Sequence, residues 1–247
     1  MGQEPSHPEL LDWLANDFRG NNWSIKNLIR KIVLSKTYRQ SSSVNPSCDK
    51  EKVSLSDPQN IFLHKMPIRR LQAEAIRDSI LLFSGRIDKK LFGPSIPIYK
   101  TAFMTGRGGK KNGPLDGAGR RSIYGSVYRN FLSPFMLAFD QPAPFGTKGK
   151  RSVSNVPAQS LALMNDPFVI GQCKMMGKNI FQAKKPKPES VASLFEMITG
   201  KPPSEKAREQ LLAFLETQTK AHGSLTEHVW ADLAHVLINS KGFLFLN

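Results

Sequence analysis

The chain has 247 residues, of which 40% are hydrophobic and 22% are charged, and its formal net charge is +15 at pH 7. This composition excludes an intrinsically disordered chain, and no apolar run approaches the roughly 20 residues that a membrane helix needs. As written, the N-terminus also lacks the basic start and the apolar stretch of a signal peptide, and the length fits one main domain.

The first third of the chain predicts three helices, over residues 8–18, 25–33 and 68–83. Pro8 suits the first turn of the first helix, because its missing N–H has no partner there in any case. Ser24 is a good N-cap for the second helix, whose apolar residues recur every three or four positions. That spacing indicates one apolar stripe.

The middle of the chain is rich in glycine. Residues 93–119 contain seven Gly and three Pro, and loops longer than about 12–15 residues are uncommon in compact domains. This segment is therefore either a functional loop or a mobile one. Residues 122–128 alternate with the period of a strand, and we expect the pairing partner of this strand within residues 95–104.

The remaining pattern predicts helices over residues 133–139, 155–164, 166–180, 190–199, 204–220 and 225–240. A run of Lys and Pro at 184–188 is typical of a hinge. The expected fold is mainly α, an irregular helical array with one small β element. We expect a main helical body over 1–183, which includes the basic Gly-rich loop and the β element, and a C-terminal helical piece over 189–247.

Six motifs identify a resemblance. They are residues 7–15 (HPELLDWLA), 35–41 (SKTYRQS), 69–78 (RRLQAEAIRD), 120–124 (RRSIY), 139–142 (FDQP) and 157–166 (PAQSLALMND). In this order they resemble the planctomycete-specific domain of unknown function number 1553. The family typically forms the C-terminal part of large exported proteins of Planctomycetes and related bacteria, often behind cytochrome c-like modules.

The resemblance implies a cellular location and partners for the chain. It implies no activity, because none is established for the family. It implies a chain that begins within a larger protein, with an exported, periplasmic or cell-envelope location. The implied partners are the upstream domains of the parent protein or their separate equivalents.

The densest charged motif lies on the third predicted helix. Arg70 and Glu74 are four residues apart and Glu74 and Arg77 three, so both pairs could meet on one face. In one interpretation Glu74 or Asp78 is an acid or base tuned by guanidinium groups, and Asp140 is a third candidate. The favoured interpretation is an ion-pair network that clamps the helix to the predicted strand, with Glu74 and Arg77 partly buried and paired.

Anion binding is the second hypothesis. Arg151, Asn155 and Gln159 surround the start of a predicted helix, where unpaired N–H groups favour an anion. The equal alternative is that Ser154 or Asn155 only caps this helix. The complete candidate set for anion binding is Arg77, Arg120, Arg121, Arg151, Asn155 and Gln159.

The positive charge is concentrated in residues 98–152, where ten basic and two acidic residues give a balance of +8. This concentration predicts a basic contact surface for an anionic partner. Its members are Lys100, Arg107, Lys110, Lys111, Lys148 and Lys150.

Metal and cofactor chemistry has little support. His228, Asp232 and His235 share a helix face, but histidines at the edge of an amphipathic helix are the favoured explanation. Cys48 and Cys173 lie far apart without a neighbouring ligand pattern, so we expect free thiols. We expect no metal site and no cofactor in this chain.

These observations favour a non-catalytic binding or assembly module of a larger bacterial envelope protein, in contact with an anionic partner or polysaccharide. The alternative is an enzyme on carbohydrate-like substrates that uses one of the three carboxylates as acid or base, with Arg77 and Arg151 on substrate anions. Nucleic-acid binding, the third possibility, rests on charge and on four nearby aromatic residues, Tyr99, Phe103, Tyr124 and Tyr128. A deep pocket lined by Asp140 and the two arginines favours the enzyme, whereas a flat basic face favours binding.

Overall fold

The computed structural model describes residues 4–43, 50–101, 104, 112–129, 131–185 and 187–246. The chain divides into two units, residues 1–69 and residues 70–246. The predicted hinge at 184–188 falls inside the second unit. The structure is 56% helical, which confirms the mainly α fold.

The described residues of the first unit form four helices, α1 (Pro8–Gly20), α2 (Ile25–Leu34), α3 (Lys36–Arg39) and α4 (Lys50–Ser56). The first two predicted helices are thus confirmed. The Ser24 hydroxyl accepts a hydrogen bond from the Asn27 N–H at 3.4 Å, and the Ser35 hydroxyl accepts one from the Tyr38 N–H at 3.1 Å, so serine caps begin α2 and α3. None of the residues of α1, α2 and α3 is buried.

The second unit contains eight described helices. They are α5 (Ala73–Phe83), α6 (Pro134–Ala138), α7 (Pro157–Asn165), α8 (Pro167–Gln182), α9 (Lys187–Thr199), α10 (Glu205–Ala221), α11 (Glu227–Ile238) and α12 (Lys241–Leu244). The starts follow from local chemistry, because proline occupies the first turn of α6, α7 and α8. The Asp166 carboxylate caps α8 by accepting the Phe168 N–H at 2.8 Å.

One hydrophobic core runs through the second unit. Its fully buried side chains come from helices on both sides of the predicted hinge, and they include Ile76, Ile80, Leu163, Met176, Val191, Leu194, Leu215, Leu233 and Ile238. The most extensive helix–helix contact is that of α8 with α11. Gly177 makes this approach possible, because a Cβ there would lie 2.3 Å from the Glu227 carbonyl oxygen.

The small β element is confirmed, but it lies elsewhere in the chain than the alternation predicts. A two-stranded antiparallel sheet pairs β1 (Arg69–Arg70) with β2 (Phe245–Leu246). The predicted strand over 122–128 is wrong, since Ser122–Tyr124 forms a 3-10 turn and only single bridges follow. Its expected partner region is confirmed at one point, because the N–H of Ile96 donates to the Tyr124 carbonyl at 2.8 Å.

The backbone turns sharply before residue 122. Gly117 and Gly119 have φ angles of +61° and +73°, which lie in the left-handed region that glycine adopts readily. The turn directs the carbonyl oxygens of Asp116 and Arg120 toward the guanidinium group of Arg77. A continuous strand through these residues is incompatible with that arrangement.

None of the helices in the described ranges combines the length and the apolar character that crossing a bilayer requires.

Candidate ligand-binding cleft

A cleft of about 740 Å³ opens in the second unit. The first turns of α5 form one wall, and the segments 96–101, 114–128 and 131–136 form the others. Phe135 and Phe168 are buried at the edge of the core and contact each other with ring centroids 5.8 Å apart. The cleft is lined by both charged and apolar side chains, so it can receive a ligand with polar and apolar faces.

Arg77 holds the charged wall together. Its guanidinium group donates to the carbonyl oxygens of Asp116 at 2.9 Å and Arg120 at 3.0 Å, and to the Ser122 hydroxyl at 3.1 Å. The side chain is largely buried and lies 5.6 Å from the Phe168 ring. Burial lowers the pKa of Arg77 from its ordinary value, while the charges of Asp78 and Asp116 oppose this shift.

Asp78 completes the same network. Its carboxylate accepts the N–H of Ser122 at 2.8 Å and the hydroxyl of Ser122 at 2.7 Å, and one oxygen lies 3.4 Å from the Arg77 guanidinium. Together these contacts clamp α5 to the segment of Arg120 and Arg121. The structural interpretation of the charged motif predicts this clamp.

The predicted pair of Glu74 with Arg77 is not formed. Glu74 instead binds Arg151 through two hydrogen bonds of 2.7 and 3.0 Å, and both side chains line the cleft. Partial burial, the largest single influence, would raise the pKa of Glu74, but the hydrogen bonds from Arg151, a backbone N–H of Glu74 and the charge of Arg151 together hold this pKa below its ordinary value. The same hydrogen bonds raise the pKa of Arg151.

Arg120 and Arg121 have opposite environments. Arg120 is buried, lies 4.0 Å from the Tyr124 ring, and donates to the carbonyl oxygens of Lys90 and Phe92. Arg121 is exposed on the rim of the cleft and has no ion pair among the described residues. Of these two neighbours, only Arg121 presents its guanidinium group to solvent.

Asp140 does not line the cleft but belongs to a separate polar cluster with Arg70, Ser154 and Gln159. Its carboxylate binds the Arg70 guanidinium at 2.5 Å and accepts the N–H and the hydroxyl of Ser154, each at 2.8 Å. The buried Gln159 side chain donates to the same Ser154. The predicted pair of Arg70 with Glu74 is therefore absent, because Arg70 is in β1 and not on α5.

Low pH should weaken this polar cluster. Burial alone would raise the pKa of Asp140, but hydrogen bonds from Ser154 and the charge of Arg70 hold it below the ordinary value. Ionised Asp140 therefore stabilises the fold fully above about pH 4, and this contribution is lost as the pH falls toward the folded-state pKa. We expect Asp140→Asn to be less stable at pH 7 and to lose less stability on acidification than the parent protein.

Urea unfolding of both proteins across the acid range measures this difference. Glu196→Gln, at an exposed carboxylate on α9, is the matched control and should leave the acid dependence unchanged. Parallel acid limbs for Asp140→Asn and the parent protein would contradict the assignment.

Sequence reasoning overlooked one carboxyl group of the cleft. Asp166 lines it, and burial raises the pKa of Asp166 although the N–H groups of Phe168 and Val169 oppose the shift. The Asp-Pro pair identifies this residue as a helix cap. No signal in the neighbouring residues predicts that the Asp166 side chain also lines the cleft.

The remaining basic and polar candidates are dispersed. Lys100 lies 5.1 Å from the Phe131 ring and 5.9 Å from the Tyr128 ring, next to the cleft. Lys148, Lys150 and Asn155 are exposed. Arg107, Lys110 and Lys111 lie outside the described residues, and so does Phe103.

The histidines and the described cysteine show no ligand arrangement. The ring of His235 hydrogen-bonds the Leu163 carbonyl at 2.9 Å, and Asp232 lies 3.4 Å from His222. In the described ranges no three His, Cys, Asp or Glu side chains are placed to hold a metal ion. Burial raises the pKa of Cys173 to about 12, so its thiol stays protonated, and Cys48 lies outside the described residues.

Fold and cleft together define a basic, mainly helical protein with a preformed cleft, whose wall is built from paired charges. The model of the family PSD1, described as a protein of unknown function (DUF1553), matches residues 1–215, and the chain belongs to this family. The expected membership is thereby confirmed. No curated protein and no solved structure matches the chain significantly.

Proposed function

We propose that this protein is a non-catalytic binding module and that its cleft takes a segment of an anionic polysaccharide. The proposal rests on the observation that the three candidate carboxylates are already hydrogen-bonded to other groups of the protein. Glu74, Asp78 and Asp140 each accept hydrogen bonds from arginine or serine, and the pKa values of Glu74 and Asp140 are lowered. A general acid or base at neutral pH needs a pKa shifted the other way, toward the working pH. The pKa of Asp166 in the cleft is shifted that way, but its carboxylate is engaged as the cap of α8, where it accepts the Phe168 N–H.

The shape of the site also separates the two hypotheses. The cleft is a concave site and not the flat basic face first associated with binding, but Asp140 is absent from its lining. The arrangement of two arginines with Asp140 that would favour an enzyme is therefore not present. Concavity supports a ligand that enters the protein, and the engaged carboxylates support binding without catalysis.

The lining suits a charged sugar chain. Ile96, Tyr99, Tyr128 and Phe131 supply apolar and aromatic surface, against which the C–H face of a sugar ring can pack. Hydroxyl and amide groups of Ser126, Ser133, Gln72 and Gln141 can bind sugar hydroxyls. Arg121 on the rim offers the planar fork that recognises a carboxylate or sulfate.

Arg151 adds a second cation whose availability depends on Glu74. Its two terminal nitrogens donate to the two oxygens of Glu74, which is the paired geometry in which a guanidinium group also binds a ligand carboxylate. A ligand carboxylate could bind on the exposed side of this pair. Upstream domains of a parent protein, or their separate equivalents, are the proposed assembly partners of the module.

Titration calorimetry with oligogalacturonate tests the proposal, with its methyl ester as the neutral counterpart and a short DNA duplex as a second polyanion. We expect the carboxylated sugar to bind and the ester to bind weakly or not at all. Binding should weaken as salt rises, because charges beyond about 10 Å are screened at 0.1 M ionic strength.

Two arginine variants locate the site. Arg121→Ala should weaken binding about tenfold or more, since it removes one charge-assisted contact. Arg129→Ala removes the same charge from an exposed residue outside the cleft lining and should change affinity little. Equal effects of the two variants, or tighter binding of DNA than of the sugar, would overturn the proposal.

A further inference from the structure

Helix α2 of the first unit presents an apolar stripe that the described residues of this unit leave exposed. The exposed fractions are 65% for Ile25, 53% for Ile29 and 40% for Ile32, and none of the residues of α2 is buried. At about 100° per residue, Leu28 and Val33 fall beside these three, so that five apolar side chains occupy an arc of about 140°. The opposite face carries Asn27 and Arg30 and, at the last residue of the helix, Leu34.

Within segment 25–39, which contains this stripe, the charged side chains all have one sign. Residues 25–39 contain five basic side chains and no acidic one: Lys26, Arg30, Lys31, Lys36 and Arg39. At the same spacing, Lys26 and Lys31 border the apolar arc on its two sides. Lys31 is paired with Asp17 of α1, whereas the other four have no ion pair among the described residues. The stripe is therefore bordered by Lys26 on one side and by the ion pair of Lys31 with Asp17 on the other, and the segment as a whole is positive.

Two exposed indole rings accompany the helix. Trp13 is 56% exposed and lies 5.7 Å from the Lys31 ammonium group, and Trp23 is 65% exposed immediately before the cap of α2. The φ angle of Trp23 is +57°, in a region that bulky side chains seldom adopt. The turn places this ring edge-to-face against Phe18, with centroids 5.3 Å apart, and leaves most of it in solvent.

We propose that α2 binds the surface of an anionic lipid bilayer, with its axis parallel to the membrane plane. An apolar arc bordered by Lys and Arg, with Trp beside it, is typical of helices that lie at a bilayer interface. The apolar side chains then replace water contacts by contacts with acyl chains, and the basic side chains reach the phosphate groups. The indoles take up the headgroup level that Trp prefers.

Charge decides against a second copy of the chain as the occupant. A symmetric pairing of two α2 surfaces would bring together the four basic side chains of each copy other than Lys31, which pairs with Asp17. An anionic bilayer instead attracts basic residues, by about fivefold in binding constant for each residue near the surface. The proposal is independent of the cleft, because all its residues belong to the first unit.

The test uses the full chain with vesicles of phosphatidylglycerol and phosphatidylcholine, and with vesicles of phosphatidylcholine alone. Binding is measured by co-sedimentation and by the shift of tryptophan emission to shorter wavelength. The protein contains three Trp, and the third, Trp230, is buried in the core of the second unit, so a shift reports on Trp13 and Trp23. We expect binding to the anionic vesicles only, weakened by salt.

Matched variants separate the apolar and the charged contribution. Ile29→Glu should reduce vesicle binding at least about tenfold, whereas Leu161→Glu, at a residue of α7 that is 57% exposed, should leave it almost unchanged. The variant Lys26→Glu should reduce it about fivefold or more, because Lys26 borders the apolar arc. Its control is Lys206→Glu, which makes the same charge change at an exposed residue of α10.

Each outcome decides the proposal. Circular dichroism and thermal melting establish that the variants, all at exposed positions, remain folded. Absence of binding to anionic vesicles, equal binding to neutral vesicles, or equal effects of the variants and their controls would overturn it. Equal binding of the soluble polyanion dextran sulfate, with no emission shift on vesicles, would also overturn it, since the surface would then be a general anion site.

Discussion

Gly177→Ala is expected to lower the free energy of unfolding by about 2–3 kcal/mol. A methyl group at this position would lie 2.3 Å from the Glu227 carbonyl oxygen and 2.5 Å from the backbone nitrogen of Ala231. Both atoms belong to the backbone of α11, so no side-chain rotation relieves the clash. Helices α8 and α11 must move apart, and the core side chains between them lose contact.

The control lies on the same helix. Gly171→Ala meets no atom within 4 Å, and alanine in a helix interior is favoured over glycine by about 0.5–1 kcal/mol. We therefore expect Gly171→Ala to stabilise the protein slightly and Gly177→Ala to destabilise it. Chemical denaturation measures both values, and a destabilisation of equal size in the two variants would contradict the role assigned to the helix crossing.

Arg77→Ala is expected to cost about 3–5 kcal/mol of stability. The substitution leaves the carbonyl oxygens of Asp116 and Arg120 without their donor, and it removes the cation beside the Asp78 carboxylate. The loss of these contacts releases α5 from segment 116–122. The same variant should lose affinity for any ligand of the cleft, because this network shapes its charged wall.

Two further substitutions show whether charge alone is responsible. Arg77→Lys keeps the charge but lacks the planar fork that binds three acceptors, so it should recover only part of the stability. Arg121→Ala removes an exposed guanidinium group and should change stability by no more than about 0.5 kcal/mol. A melting temperature of Arg77→Ala equal to that of the parent protein would show that the clamp contributes nothing.

Local sequence predicts many of the helices well. Proline in the first turn, serine and aspartate caps, and apolar residues at a spacing of three and four are all signals within a few residues of each other. The same local character explains the error at 122–128. The alternation of side chains over 122–128 predicts an extended backbone. The backbone instead forms a turn here, and the Arg120 carbonyl oxygen accepts a hydrogen bond from the Arg77 guanidinium group.

The sequence by itself determined the family, the mainly helical fold and the concentration of positive charge in the middle of the chain. Only the tertiary structure decided which carboxylate each arginine binds. Arg151 and Glu74 are 77 residues apart, and Arg70 and Asp140 are 70 apart. The spacing of residues along one helix predicts only pairs that are three or four residues apart. Residues 70 or more positions apart meet only when the folded core brings distant segments together.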